Sequence, residues 1–151
     1  MPTIKAFRMD GLGNKFVIVD RRKDIVDITK EKIIHLGNLE SFHREIGFDQ
    51  IIFIEREIDK AFPITIFNSD GGEVSACGNG SRCVAYLLGK DLNTKEVKLK
   101  TNNRLLNAKI VGHLDVELAM GKPIFEWNKI CLLYTSPSPR DATLSRMPSS
   151  A

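Results

Sequence analysis

A chain of 151 residues with 42% hydrophobic and 27% charged side chains has room for one domain with a real core, and neither value fits a disordered polymer. The formal net charge is +3, of which Arg140, Asp141 and Arg146 contribute +1; this is too little for a nucleic-acid binder, and Lys90, Lys95, Lys98 and Lys100 are not interleaved with aromatics. No apolar run approaches a membrane span, and Lys5, Arg8 and Asp10 interrupt any signal-peptide pattern, so neither nucleic acid nor membrane is an expected partner and the cytoplasm is the expected compartment.

Along the chain, strand-like stretches dominate. Ile4–Met9 and Phe16–Asp20 flank a Gly-Leu-Gly-Asn turn at 11–14. Thr29 is placed to cap a first helix, with Glu31 in its first turn and Ile33, Ile34 and Leu36 on the buried side; Gly37 weakens its far end. Ile51–Glu55 and Pro63–Phe67 are short β-branched runs, the second alternating Ile64 and Ile66 against Thr65 and Phe67. Asn68-Ser69-Asp70-Gly71-Gly72 is a turn signal leading to Glu73–Ser75. A second helix is predicted from near Gly80 to Gly89, a suitable C′ residue, with an apolar body from Cys83 to Leu88 that implies burial on nearly every side. Val97–Thr101, Leu105–Val111 and Leu114–Ala119 form a meander with turns at Asn102-Asn103 and Gly112-His113. The pattern predicts an α+β class, a curved sheet wrapped about a central helix.

Composition changes at about Cys131. From there to Ala151 the sequence is rich in Ser and Pro and has no periodicity, as in a disordered tail. It resembles the conceptual translation of a short-read sequencing-library adapter. The expected division is therefore 1–130 as folded domain and 131–151 as a non-native tail, left out of fold reasoning.

Three cysteines, Cys77, Cys83 and Cys131, are too few and odd in number for a disulfide framework. Cys77 lies where a strand ends and the buried helix begins, followed by Gly78, Asn79 and Gly80. The free amides of residues 78–81 then point out of a helix N-terminus, which is a ready anion site, and the same field favours a thiolate. A carboxylate held by those amides sets its own α-carbon beside the sulfur. Abstraction of the α-proton builds negative charge on that carboxylate, toward which the amides already point. The chemistry implied is proton transfer at an amino-acid α-carbon, without a cofactor. Cys83, mid-helix, reads as core. No metal site is expected: Cys77 and Cys83 lack a usual zinc spacing, and His35, His43 and His113 are distant in sequence.

Four ordered blocks carry a family resemblance: Met9-Asp10-Gly11-Leu12-Gly13-Asn14 with Phe16-Val17; Gly47-Phe48-Asp49-Gln50; Phe67 to Val74 running into Cys77-Gly78-Asn79-Gly80-Ser81-Arg82-Cys83; and Met120-Gly121-Lys122-Pro123. Together, over about residues 4–126, they resemble the amino-terminal half of diaminopimelate epimerase. The resemblance implies one half of a pseudo-symmetric two-domain fold. It implies interconversion of LL- and meso-diaminopimelate, on the way to lysine and bacterial cell wall, by two cysteines on opposite faces of the α-carbon and with no cofactor. It assigns Cys77 as one of the pair, Gly78 and Asn79 as donors to the reacting carboxylate through their backbone amides, and Asn14, Gln50 and Asn68 as ligands of the substrate's polar groups. It also implies a homodimer for the complete protein.

Departures are Lys15, where the family usually has an acidic residue; Arg104, where a turn glycine is common and Asn103 would supply the left-handed residue; and Gly72, where serine also occurs. The second half, with the partner cysteine, is not in this sequence, and Cys131 lacks the glycine-rich context to replace it, so this half is expected to be inactive alone. Other readings of the same residues are a related isomerase, such as a proline racemase or a phenazine-biosynthesis-type isomerase, and a non-catalytic half-domain that binds a small carboxylate or a partner chain.

Overall fold

The structure, a computed structural model, describes residues 5–38, 40–41, 44–45, 47–102 and 104–119. The expectations for Ile4, Asn103, the Met120–Pro123 block, Cys131 and the 131–151 tail lie outside these residues.

The first two strands, β1 (Ala6–Gly11) and β2 (Asn14–Asp20), form an antiparallel hairpin in register from Ala6–Val19 to Gly11–Asn14. The turn is shorter than its glycine pattern predicts. Only Leu12 and Gly13 leave the ladder, at φ 50° and 89°, as the right-handed twist of a two-residue hairpin requires. Helix α1 (Lys30–Gly37) starts at Thr29, whose hydroxyl accepts from the Lys32 amide at 3.4 Å, and it runs on through Gly37 to an Asn38 cap. Ile33 is buried, while Ile34 and Leu36 are half-buried. Two two-residue strands that the sequence did not announce, β3 (Glu40–Ser41) and β4 (Arg44–Glu45), pair with each other.

β5 (Gln50–Ile54) lies parallel to β2 and antiparallel to β6 (Phe62–Asn68); β7 (Glu73–Val74) adds to β6. Helix α2 (Gly78–Leu92) leads to β8 (Glu96–Lys100), which meets β6 in parallel through Phe62–Leu99 and Pro63–Lys100, and β9 (Leu105–Gly112) and β10 (Asp115–Ala119) complete the meander. The last turn is centred on His113 and Leu114, the latter at φ 59°, so β10 begins one residue later than its pattern indicates.

Along the eight-stranded sheet the order is β1-β2-β5-β6-β8-β9-β10. α2 packs against strands from both edges and from the middle, so the sheet curls round it as a half-barrel. This is the expected α+β class, mostly antiparallel, with two parallel joins. Strand alternation feeds two cores. The inner one sets Phe16, Ile18, Ile52, Ile66 and Leu99 against Val84 and Leu88 of α2. The outer one sets Val19, Ile51 and Phe53 under Ile33 of α1, with Phe48 filling the end. At about 1.5–3 kcal/mol for each large apolar side chain removed from water, the inner layer holds the curl closed on α2 and the outer one holds α1 to the sheet.

α2 departs from its sequence reading in two ways. It begins immediately after Cys77 and continues three residues past Gly89. Gly89 is not the C′ residue. A Cβ there would stand 1.9 Å from Ile110 Cδ1 and 2.9 Å from the Thr94 carbonyl oxygen, so glycine is required for close packing. Asn93, at φ 52°, supplies the left-handed cap instead. The helix is also not buried all round: Arg82, Tyr86 and Leu87 are half-buried along its open side.

Candidate active site at the start of helix α2

Cys77 is the N-cap residue of α2, in extended conformation at φ −146° and ψ 110°. Its Sγ accepts from the Gly80 amide at 3.4 Å, and its carbonyl oxygen accepts from the Ser81 amide at 2.9 Å. Sulfur thus stands where an N-cap serine or aspartate oxygen ordinarily would. Helix geometry leaves the amides of Gly78 and Asn79 with no intrahelical acceptor, and the first turn carries no acidic side chain to compete for them. Cys77 is half-buried. The sequence reading left the amides of residues 78–81 all free; the structure occupies two of them, Gly80 on the sulfur and Ser81 on the Cys77 carbonyl, so a half-buried sulfur stands beside the two donors that remain, Gly78 and Asn79.

Gly80 allows this helix start to press onto the sheet. A Cβ there would meet Ile52 Cδ1 at 2.7 Å and Phe16 Cε1 at 3.2 Å. Phe16 is in register with Gln50, which places the helix start beside the strand ends that carry the predicted carboxamides. Asn14 is the first residue of β2, Gln50 the first of β5 and Asn68 the last of β6. Gln50 and Asn68 face each other in the ladder, and Gln50 Nε2 donates to Asn68 Oδ1 at 3.0 Å. Gln50 Oε1 is buried and has no hydrogen-bond partner among the described residues. All three carboxamides are half-buried.

Cys83 lies in the inner core at 7% exposure, with its Sγ 3.0 Å from where a Gly11 Cβ would lie. Burial pushes its thiol pKa up, and Cys77 and Asp10 add to the effect. A neutral thiol packed against backbone is a poor nucleophile. Among the described residues no group of three or more His, Cys, Asp or Glu side chains is arranged to hold a metal ion. None of their helices is long and apolar enough to cross a membrane.

Sequence reasoning missed one side chain at this site. Arg82 Nη1 donates to Asn79 Oδ1 at 3.1 Å, fixing the side chain of a residue whose backbone is one of the donors. Their i, i+3 spacing at a helix start was the available signal. Arg82 also borders a groove of about 350 Å³ between β1 and β10, together with Asp10, Tyr86 and Leu114. A larger hollow, about 640 Å³, is bordered by β8, β9 and β10. Its rim carries Glu96, Lys109 and Glu117, which neighbour one another across the strands as alternating charges, and none of the site residues borders it.

The half-barrel curled about a helix is a fold shared with solved proteins described as phenazine-biosynthesis proteins and as a predicted epimerase. A PhzC/PhzF-type phenazine-biosynthesis protein from Clostridium difficile superposes with a TM-score of 0.56 at 18% identity, over 73% of this chain and 41% of that one. A PhzF-family protein from Enterococcus faecalis gives 0.53 at 11% identity, over 70% of this chain and 40% of that one. At such identities the likeness concerns the fold alone. In sequence the match is more specific: the diaminopimelate epimerase family model covers residues 6–126, and the chain belongs to that family. The diaminopimelate epimerase of Pelagibacter ubique is 45% identical over 129 residues, which are 85% of this chain and 46% of that protein. That of Acidiphilium cryptum is 40% identical over 125 residues, 83% of this chain and 44% of that protein. The chain thus spans about half the length of these relatives.

Proposed function

We propose that residues 1–130 are the amino-terminal half of a diaminopimelate epimerase, that residues 131–151 are foreign to it, and that Cys77 is the base on one face of the substrate α-carbon. The observation that carries this reading is the position of Cys77 Sγ at the cap of α2, 3.4 Å from the Gly80 amide, beside the Gly78 and Asn79 donors. The Cys77 thiolate takes the α-proton and becomes a thiol. The charge left on the substrate spreads into its α-carboxylate, where the two amides stabilise it. A second cysteine thiol on the opposite face then delivers a proton to the α-carbon, and the stereocentre is inverted. No carbonyl cofactor takes part in this scheme.

The carboxamides supply recognition. The unpartnered Gln50 Oε1 is the acceptor that an ammonium group needs, and Asn14 and Asn68 extend the polar row. A buried acceptor left empty costs about 1–3 kcal/mol, which a bound donor recovers. Because inversion needs a base and an acid on opposite faces, the half alone is inactive in this reading. The complete protein acts in the cytoplasm on a free amino acid, and a homodimer is its expected assembly.

The test is to express the gene with an intact second half and incubate it with LL-diaminopimelate in deuterium oxide. Solvent deuterium is expected at the α-carbon, and Cys77→Ser should abolish it, because serine is a far poorer base at neutral pH. Deuterium incorporation undiminished in Cys77→Ser would overturn the assignment.

A further inference from the structure

The three carboxamide residues are neighbours in space but not in sequence, and Asp49 bonds to the chain beside each of them. Its Oδ2 accepts from the Lys15 amide at 2.8 Å, and its own amide donates to the Lys15 carbonyl oxygen at 2.9 Å. Its carbonyl oxygen accepts from the Ser69 amide at 3.2 Å. The amide of Lys15 belongs to the peptide plane shared with Asn14. The amide of Ser69 belongs to the plane shared with Asn68, and the Asp49 carbonyl to the plane shared with Gln50. One peptide plane at each carboxamide is therefore held by a single residue.

Two of these links are backbone to backbone and survive any substitution but proline. The third depends on the side chain. In a parallel β2–β5 ladder the acceptor for the next amide beyond Phe16–Gln50 would come from earlier in β5, but β5 has not yet begun there. The Asp49 carboxylate replaces that missing acceptor. A charge-assisted N–H···O⁻ bond is short and directional, so it sets the Asn14–Lys15 plane more firmly than water would. Phe48, buried in the outer core, anchors Asp49 from the other side.

We infer that Asp49 is a positioning residue, whose carboxylate orients Asn14 relative to the Gln50–Asn68 pair. The inference rests on the proposed role of those carboxamides in substrate binding. Asp49 is solvent-exposed, so replacing it leaves both cores intact.

The test uses the full chain labelled with ¹⁵N, in wild-type, Asp49→Ala and Asp49→Asn forms. In Asp49→Ala the Lys15 amide should lose about tenfold in exchange protection and the Asn14 side-chain amide signals should shift, with the melting temperature nearly unchanged. Asp49→Asn, which keeps a carbonyl acceptor, should restore both. Titration with meso-diaminopimelate should move the signals of Asn14, Gln50 and Asn68, and Asp49→Ala should weaken that response about tenfold, with recovery in Asp49→Asn. Unaltered Asn14 and Lys15 signals in Asp49→Ala would overturn the inference, as would an unchanged diaminopimelate response. If diaminopimelate moves none of the three in wild type, the substrate reading fails, and the Asn14 and Lys15 signals decide the role of Asp49 without it.

Discussion

Gln50 Nε2 and Asn68 Oδ1 lie 3.0 Å apart across β5 and β6, at the point where one strand begins and the other ends. Each carboxamide has both donors and an acceptor, and this bond satisfies one of each across the pair. It fixes which way Gln50 presents its remaining acceptor. Removing the pair partner should therefore free the glutamine to rotate. In a complete enzyme Asn68→Ala is expected to raise the KM for diaminopimelate more than it lowers kcat, at a stability cost of about 1 kcal/mol. Steady-state kinetics beside a urea melt would check this, and an unchanged KM would count against a binding role.

Cys77 caps α2, and the proposed chemistry is a second role for the same sulfur, so the two separate by substitution. Serine keeps an acceptor at the cap and should leave stability within about 0.5 kcal/mol, while Cys77→Ala should cost about 1 kcal/mol. A Cys77→Ala melting temperature equal to that of wild type would show that the sulfur contributes nothing to capping.

The two described thiols should differ in reactivity. Cys77 is half-exposed at a helix N-terminus, whereas Cys83 is 7% exposed and its thiol is pushed toward the neutral form by burial. Iodoacetamide at neutral pH should modify Cys77 at least about tenfold faster, as read by peptide mass spectrometry. Comparable rates would mean that α2 opens readily.

Gly80 should resist replacement despite its low helix propensity. Alanine gains about 1 kcal/mol in an unconstrained helix. Here its Cβ would lie 2.7 Å from Ile52 Cδ1, so Gly80→Ala is expected to lose about 1–3 kcal/mol in denaturant unfolding. A stabilised variant would show that the helix start has room to move away from β5.

Asp20 offers a pH test. The Arg22 guanidinium donates to both of its carboxylate oxygens, at 2.9 and 2.7 Å, and also reaches Asp91 at 2.7 Å. The Arg22 hydrogen bonds outweigh burial and hold the Asp20 pKa below the ordinary carboxylate range. A lowered folded-state pKa contributes stability above the unfolded value of about 3.9 and loses it as pH falls through the folded one. Asp20→Asn should therefore cost about 1–2 kcal/mol at pH 7, with the difference from wild type vanishing in acid below both pKa values. A deficit that persists at the lowest pH would trace the loss to packing.

Much of this was legible beforehand. The alternation of Ile64 and Ile66 against Thr65 and Phe67 gave β6 its faces, and Thr29 marked the start of α1, because both signals are local. The Cys77-Gly78-Asn79-Gly80 order likewise contains its own geometry. What was not legible depends on tertiary contact. Gly89 looked like a helix stop, but its role is set by Ile110, some twenty residues away in sequence. The half-barrel closure through two β6–β8 pairs and the three links of Asp49 are equally invisible to a window of neighbouring residues.

Among the described residues, the first and last strands in sequence, β1 and β10, are also the two outer strands of the sheet, each paired on one side only. Local opening can then peel either one without breaking the five strands between them in the order. Amide exchange should proceed inward from Ala6–Gly11 and Asp115–Ala119, with the β5–β6 ladder and the middle of α2 last to open. The Cys77 cap sits at the head of that slow-opening helix, while the hairpin bearing Asn14 belongs half to an outer edge of the sheet.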